Sequence, residues 1–200
     1  MNGDKQRKIV FLDIDGVLNH PDWYDIIHKK YSSEEIKELP FNVFHIDPTC
    51  VNRLNKLIGC EIVISSSWDY TEETVQGLKN AGLKLPIIGG IDHIEYNEQY
   101  LCRGNAIAKW FNDRFNKHIP YDYLFDSDGW YNTDVTYSSD FGLLNKIKQI
   151  GKNNVQLNYV IIDDTNDMLI HQQKHFIHVN SKKGLTDDNI LKAMNILNIK

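Results

Sequence analysis

KIVFLDIDGVLN, residues 8–19, is the stretch from which the rest of the chain is read. Ile9 to Leu12 is an apolar, largely β-branched run, the composition of a strand buried on both faces. Directly after it come two carboxylates, Asp13 and Asp15, and then Gly16. On an extended backbone an Asp-x-Asp pair puts both side chains on one side, near enough to repel. A divalent cation between them relieves that repulsion, and Mg²⁺ takes oxygen ligands. Gly16 allows a sharp turn off the strand end and a close approach of ligand to backbone.

Polar groups recur at the ends of other apolar runs. Cys60 to Ser65 reads as a second strand running into Ser66, Ser67 and Trp68, with Trp68 read as a packing residue. Tyr159 to Asp164 reads as a buried strand ending in Asp163 and Asp164, with Asp167 soon after. Pro86 to Gly90 and HFIHV, 175–179, are two further short strands.

Helical patterns alternate with these runs. Asp47 and Pro48 start a helix to about Ile58, with Val51, Leu54, Leu57 and Ile58 as its apolar stripe. Residues 71–83 form the next, opened by Thr71 as N-cap and closed at Gly82. Cys102 to Phe115 is amphipathic, with Ile107, Trp110 and Phe111 facing inward, and Thr186 caps a closing helix to Leu197. The alternation predicts right-handed βαβ crossovers and an α/β, doubly wound parallel sheet. Ligands of such sheets bind outside the carboxyl ends of the strands, where Asp13, Ser65 and Asp163 stand.

Two segments exceed an ordinary connection. Residues 20–45 carry Pro21, Trp23, Tyr24, Tyr31 and a helix start in SSEEIKEL, 32–39, and read as a small flap over the strand end. Residues 116–157 read as an aromatic, acidic insertion before the fourth strand. The expected organisation is one domain, residues 1–200, with this flap and this insertion.

Composition narrows the function classes. The net charge of −5 gives no global basic field for nucleic acid. Cys50, Cys60 and Cys102 lack CxxC spacing and read as reduced residues outside any disulfide framework or zinc site. The start MNGDKQRK has no apolar core, and no run approaches ~18 apolar residues, so a cytoplasmic chain without membrane contact is expected. No GxxxxGK[ST] phosphate loop occurs. His171, His175 and His178 lack the HExxH glutamate and read as surface or packing residues.

LDIDGVLN resembles the first motif of the haloacid dehalogenase (HAD) superfamily of aspartate-nucleophile phosphohydrolases. IVISSSW, 62–68, resembles its second motif and YVIIDDTND, 159–167, its fourth, while Arg103 in RGNAIAKW stands where a third is expected. With GLT near the end, the pattern is most similar to the HAD domain of RNA-repair proteins, over most of the chain but not residues 112–157. The resemblance implies a HAD-like Rossmannoid fold and a Mg²⁺-dependent phosphatase. Asp13 would be the nucleophile, forming an aspartyl-phosphate, and Asp15 would protonate the leaving oxygen and later deprotonate water. Ser65, backed by the Ser66 amide, would bind a phosphate oxygen. Arg103, or Lys109 on the same helix, would stabilise nucleophile and phosphate. Asp13 and Asp15 with Asp163, Asp164 and Asp167 would supply the metal ligands. The family's Gly-Asp form aligns Asp164 with the metal, whereas the spacing to Asp167 fits Asp163.

The expected substrate is a phosphomonoester of a nucleotide or of a nucleic-acid end, with 5′ and 3′ phosphates both open. Tyr121, Tyr123, Phe125, Trp130, Tyr131 and Tyr137 can stack on bases. Residues 121–140 also carry five aspartates and no Lys or Arg, which repels a polyanionic strand. That balance suits a capped pocket for a nucleotide or other small phosphoester, a protein contact, or a small core of the insertion itself. The alternatives are a phosphatase of small metabolites, an inactive HAD-like module and a receiver-type domain. A receiver accepts phosphate in mid-chain, and an inactive module loses a nucleophile or ligand; here Asp13 comes first and none is lost.

Overall fold

A computed structural model describes residues 7–92, 95–96, 99–100, 102–115 and 158–199. The described residues of Met1–Gly90, Asn158–Asn166 and His175–Lys200 form one compact unit, and those of Ile91–Leu157 and Asp167–Lys174 a second.

The first unit is built on five parallel strands: β1 (Lys8–Leu12), β2 (Cys60–Ile64), β3 (Ile87–Gly90), β6 (Asn158–Asp163) and β7 (Phe176–His178). Their order is β3-β2-β1-β6-β7. The chain therefore runs outward from β1 to one edge and returns to β1's other side, the order of a doubly wound sheet with its switch point between β1 and β6. The apolar run Ile9–Leu12 is buried on both faces, as a central parallel strand requires. On one face Val10, Leu12, Ile62, Ile64, Val160 and Ile162 join a single core with Val51 and Leu54 of α4 (Pro48–Leu54) and Ile190 and Ala193 of α7 (Asp187–Ile196). On the other face Ile9, Phe11, Val63, Tyr159 and Ile161 are also buried, with Phe11 edge-on to Tyr159.

Capping decides where the helices begin. Thr71 accepts from the Thr74 amide to open α5 (Glu72–Asn80), and Thr186 and Asn189 close a reciprocal box on α7. Helix α4 is shorter than its apolar pattern predicts. It ends at Leu54, and the chain turns through Asn55–Gly59 into β2, so Ile58 is 77% exposed instead of joining the stripe. Gly59, at φ +81°, makes that turn. The expected strand 175–179 is also shorter, because His175 closes a 3₁₀ turn, Ile170–His175, and its ring stacks on Tyr159.

Residues 20–45 contain three helices where the sequence signals only one: α1 (Pro21–Lys30), α2 (Ser33–Lys37) and α3 (Phe41–His45). The ends of this excursion are tied together at its base. The Asp47 amide donates to the Leu18 carbonyl (2.8 Å), and buried His20 Nε2 lies 3.0 Å from Asp47 Oδ2.

In the second unit a short antiparallel pair, β4 (Glu95–Tyr96) with β5 (Gln99–Tyr100), precedes α6 (Arg103–Phe115). The inward residues expected of α6, Ile107, Trp110 and Phe111, are buried. Gln172 holds the start of this helix by donating to the Gly104 carbonyl (2.9 Å). A Cβ at Gly104 would meet Gln172 and the Leu169 amide at 2.6 Å, so the close approach needs glycine. The insertion 116–157, with its aromatics and Trp130, lies outside the described residues. Among the described residues no helix is long and apolar enough to cross a membrane.

Candidate active site

The site follows from strand register. Leu12 pairs with Ile64 on β2 and with Ile162 on β6, so the next residue of each strand, Asp13, Ser65 and Asp163, emerges side by side at the carboxyl ends. The backbone continues the ladder there. The Asp13 amide donates to the Ile162 carbonyl (3.0 Å) and the Ser65 amide to the Leu12 carbonyl (2.7 Å). Asp13, Ser65, Ser66 and Asp163 are all buried.

Carboxylate oxygens of Asp13, Asp163 and Asp164 lie within 4.8 Å of one another. Asp163 Oδ1 accepts from the Thr165 amide (2.8 Å), which sets its orientation. Asp164 stays partly exposed, and its carboxylate fills the space beside Gly16: a Cβ there would stand 2.6 Å from Asp164 Cγ. Gly16, at φ +69°, is required both for the turn and for that space. Three hard oxygen donors converging there fit a hard divalent cation such as Mg²⁺ or Mn²⁺.

Asp15 lies beyond the strand and is not among the clustered carboxylates Asp13, Asp163 and Asp164. The strand stops at Leu12, residues 15–18 turn, and the Val17 and Leu18 amides donate to the Ile14 carbonyl. Asp15 is exposed, with both carboxylate oxygens held: Oδ1 accepts from Asn19 Nδ2 (2.9 Å) and Oδ2 from Trp68 Nε1 (2.6 Å). Trp68 is therefore more than a packing residue, and Asn19, whose Oδ1 also accepts from the Gly16 amide (2.9 Å), belongs to the same turn. Asn19 was legible as an Asx side chain four residues past Asp15; Trp68 was not, because 53 residues separate it from its partner.

Aromatic side chains of the excursion gather at Trp68. His45 meets the Trp68 ring edge-on (5.1 Å, 82°), Phe44 meets His45 (4.6 Å, 81°), and Tyr24 packs on both Phe44 (5.5 Å) and His45 (6.4 Å). Trp23 Nε1 donates to the Phe44 carbonyl (3.0 Å) and so joins α1 to α3. Burial pushes the Tyr24 phenol up and the His45 imidazole down, and the Asp15 carboxylate raises both.

The other expected residues sit as follows. Arg103 opens α6, and its amide donates to Asp167 Oδ2 (2.9 Å). Asp167 thus places a carboxylate at the positive end of that helix, while among the described residues the carboxylate cluster comprises Asp13, Asp163 and Asp164. Lys109 Nζ pairs with Asp113 and Asp92, whose carboxylates raise its pKa. His178 Nε2 bonds the Asp164 carbonyl (2.8 Å).

Tertiary structure also assembles a group that spacing hides. His20, Asp47 and Cys50 present ligand-type atoms within 4.8 Å of one another. Asp47 already accepts from the Thr49 amide (2.7 Å) and from Cys50 Sγ (3.6 Å), and burial pushes the Cys50 thiol up to about 11. All three cysteines are free, and Cys60 and Cys102 are likewise pushed up to about 11 by burial. The loop before α7 closes over this group. Gly184 packs against His20 and Cys50, the Leu185 amide donates to the Val17 carbonyl (2.8 Å), and the Leu185 carbonyl accepts from Arg53 (3.0 Å). That is the physical content of the GLT motif: it fastens the turn that carries Asp15.

No curated protein and no solved structure matches the chain. The family described as the HAD domain in Swiss Army Knife RNA repair proteins matches over residues 9–141, more than half of the chain. With the parallel α/β sheet and the acidic β1 end in place, the chain belongs to this family of HAD domains.

Proposed function

We propose that the chain is a Mg²⁺-dependent phosphatase that hydrolyses the phosphomonoester of a nucleotide or a nucleic-acid end. Family membership supports a hydrolase acting on a phosphorylated substrate. The observation that carries the reading is the meeting of Asp13, Asp163 and Asp164 at the carboxyl ends of β1 and β6.

Asp13 is the nucleophile. One of its carboxylate oxygens attacks phosphorus, the bond from phosphorus to the leaving oxygen breaks, and that oxygen takes a proton from Asp15. Asp15 next takes a proton from a water molecule as the water oxygen attacks the aspartyl-phosphate. The bond between phosphorus and Asp13 breaks, and inorganic phosphate leaves. Asn19 and Trp68 position Asp15 for both transfers. Ser65 and Ser66 bind phosphate oxygens beside Asp13, with Gly16 allowing close approach on the other side. Asp13, Asp163 and Asp164 hold the Mg²⁺, which when bound neutralises charge on the phosphate oxygens. The cation of the third motif is Arg103 at the start of α6, with Lys109 on the same helix as the alternative.

The test is phosphate release from p-nitrophenyl phosphate, nucleotides, small-metabolite phosphates and 5′- or 3′-phosphorylated oligonucleotides, with Mg²⁺ and with EDTA. Turnover is expected with Mg²⁺ alone, and Asp13→Asn should lower it by roughly 10³-fold or more. Release only from small-metabolite phosphates would move the substrate away from nucleosides. No release from any substrate would remove the phosphatase reading and leave an interaction module, and an active Asp13→Asn chain would take Asp13 out of the nucleophile's role.

A further inference from the structure

Of the aromatic residues gathered around Trp68 only Trp68 itself has a part in the chemistry above, as the donor that holds Asp15. Trp68 is bonded to Asp15, its ring meets His45, and Tyr24 packs on His45 and Phe44. Tyr24, His45 and Trp68 are each half-buried. Phe44 touches Tyr24, His28 and His45 and backs the other rings.

The rings of Trp68, His45 and Phe44 meet in succession at near right angles, 82° and 81°. A flat group laid on one ring of such a corner meets the next ring edge-on, the arrangement aromatic quadrupoles favour. The charge felt by both Tyr24 and His45 is that of Asp15, an anion. Their corner therefore disfavours a second phosphate or a carboxylate and accepts a neutral, planar group. Burial, partly opposed by the Asp15 carboxylate, disfavours the charged form of the His45 imidazole.

We propose that Tyr24, His45 and Trp68 form the wall on which the base of a nucleoside lies when its phosphate is at Asp13, so that base stacking selects the substrate. This rests on the phosphatase reading for the direction of the leaving group. The recognised chemistry is a nucleoside next to a phosphomonoester, supplied by a free nucleotide or by a strand end. In either case the wall takes the base of the nucleoside that carries the phosphate. The selectivity then comes from the excursion after β1, in addition to anything residues 116–157 contribute.

The test compares ligands with and without a base. Binding of nucleoside 5′- and 3′-monophosphates, singly phosphorylated dinucleotides and ribose 5-phosphate is measured on the full-length Asp13→Asn chain with Mg²⁺, which needs no turnover. The base should tighten binding on the order of tenfold to a hundredfold, the range of one stacked base. Tyr24→Ala and His45→Ala should each shrink that ratio severalfold, while Tyr24→Phe and His45→Phe, which keep a ring, should preserve it and control for loss of fold. Tighter binding of the dinucleotides than of the mononucleotides would identify a strand end as the source, and equal binding a free nucleotide. Equal binding of nucleoside phosphates and ribose 5-phosphate, or a ratio that survives both alanine variants, would overturn the wall. A base preference in a native chain that releases no phosphate would keep the wall and remove the phosphatase reading; turnover without base preference would do the reverse.

Discussion

Gly16 is defined by what its missing side chain leaves room for. A Cβ would run into the Asp164 carboxylate and come to 3.0 Å from Ser181 Cβ, on a backbone already at φ +69°. Gly16→Ala should therefore cost about 1–3 kcal/mol from overpacking, with roughly 1 kcal/mol more from the left-handed backbone. It should also weaken the stabilisation by Mg²⁺, since Asp164 has to move. Urea unfolding with and without Mg²⁺ reads both effects, and an unchanged Mg²⁺ increment would show that Asp164 is not a ligand. Trp68 poses a different residue-scale question, because its ring and its N–H have separate partners. Trp68→Phe keeps a ring for His45 and removes the donor to Asp15. The variant should lose roughly tenfold in kcat on an alkyl phosphate, whose leaving oxygen needs a proton, and far less on p-nitrophenyl phosphate. Equal losses on the two substrates would take Asp15 out of its acid role.

Among the elements, the excursion carrying α1, α2 and α3 depends on a buried base. His20 and Asp47 face each other at 3.0 Å with side chains about one-tenth exposed, and Asp47 also caps α4. One carboxylate thus fixes where the excursion ends and where the next helix starts. Helix α7 is tied differently, through exposed charges in its first turn. Lys56 above all, with Arg53, holds the Asp187 carboxyl below its ordinary value. A lowered carboxylate pKa stabilises the fold above the unfolded pKa and loses that contribution as pH falls through the folded one. Asp187→Asn should therefore lower the urea midpoint slightly at pH 6, and the difference should shrink as pH falls below the ordinary Asp pKa of about 3.9. A difference that persists at the lower pH would mean that Asp187 acts through packing instead of charge.

For the molecule as a whole, the decisive connection is long in sequence and short in space. The family match ends at residue 141, whereas Asp163 and Asp164 lie beyond it and reach Asp13 because β6 pairs with β1. A cation binding there bridges β1 and β6, neighbours in the sheet that are far apart in sequence, and should stabilise the folded state. At a hundred times Kd the gain is about 2.7 kcal/mol, a rise in Tm of roughly 5–10 °C for a chain of this size. Asp163→Ala should abolish most of that rise, and in EDTA it should itself melt no lower than about 2 °C below the native chain, since relief of repulsion offsets the lost side chain. Identical melting curves in EDTA and saturating Mg²⁺ would exclude the cation site.

What the sequence determined by itself was whatever depends on neighbours along the chain. The buried run Ile9–Leu12, the caps Thr71 and Thr186, the turn at Gly82 and the carboxylates at the ends of β1 and β6 are local patterns of burial, hydrogen bonding and backbone freedom. They were readable as a parallel α/β sheet with an acidic end. Helix α4 stops short of its pattern's prediction: Ile58 is apolar yet faces solvent, and periodicity cannot see a turn imposed by the strand that follows. Only the tertiary structure decided which carboxylates meet. Asp15, two residues from Asp13, is held by Asn19 and Trp68 outside the cluster, while Asp164, 151 residues from Asp13, comes within 4.8 Å of it. The physical reason is that strand register and a glycine-made turn set those distances, and both are fixed by packing between segments far apart in the chain.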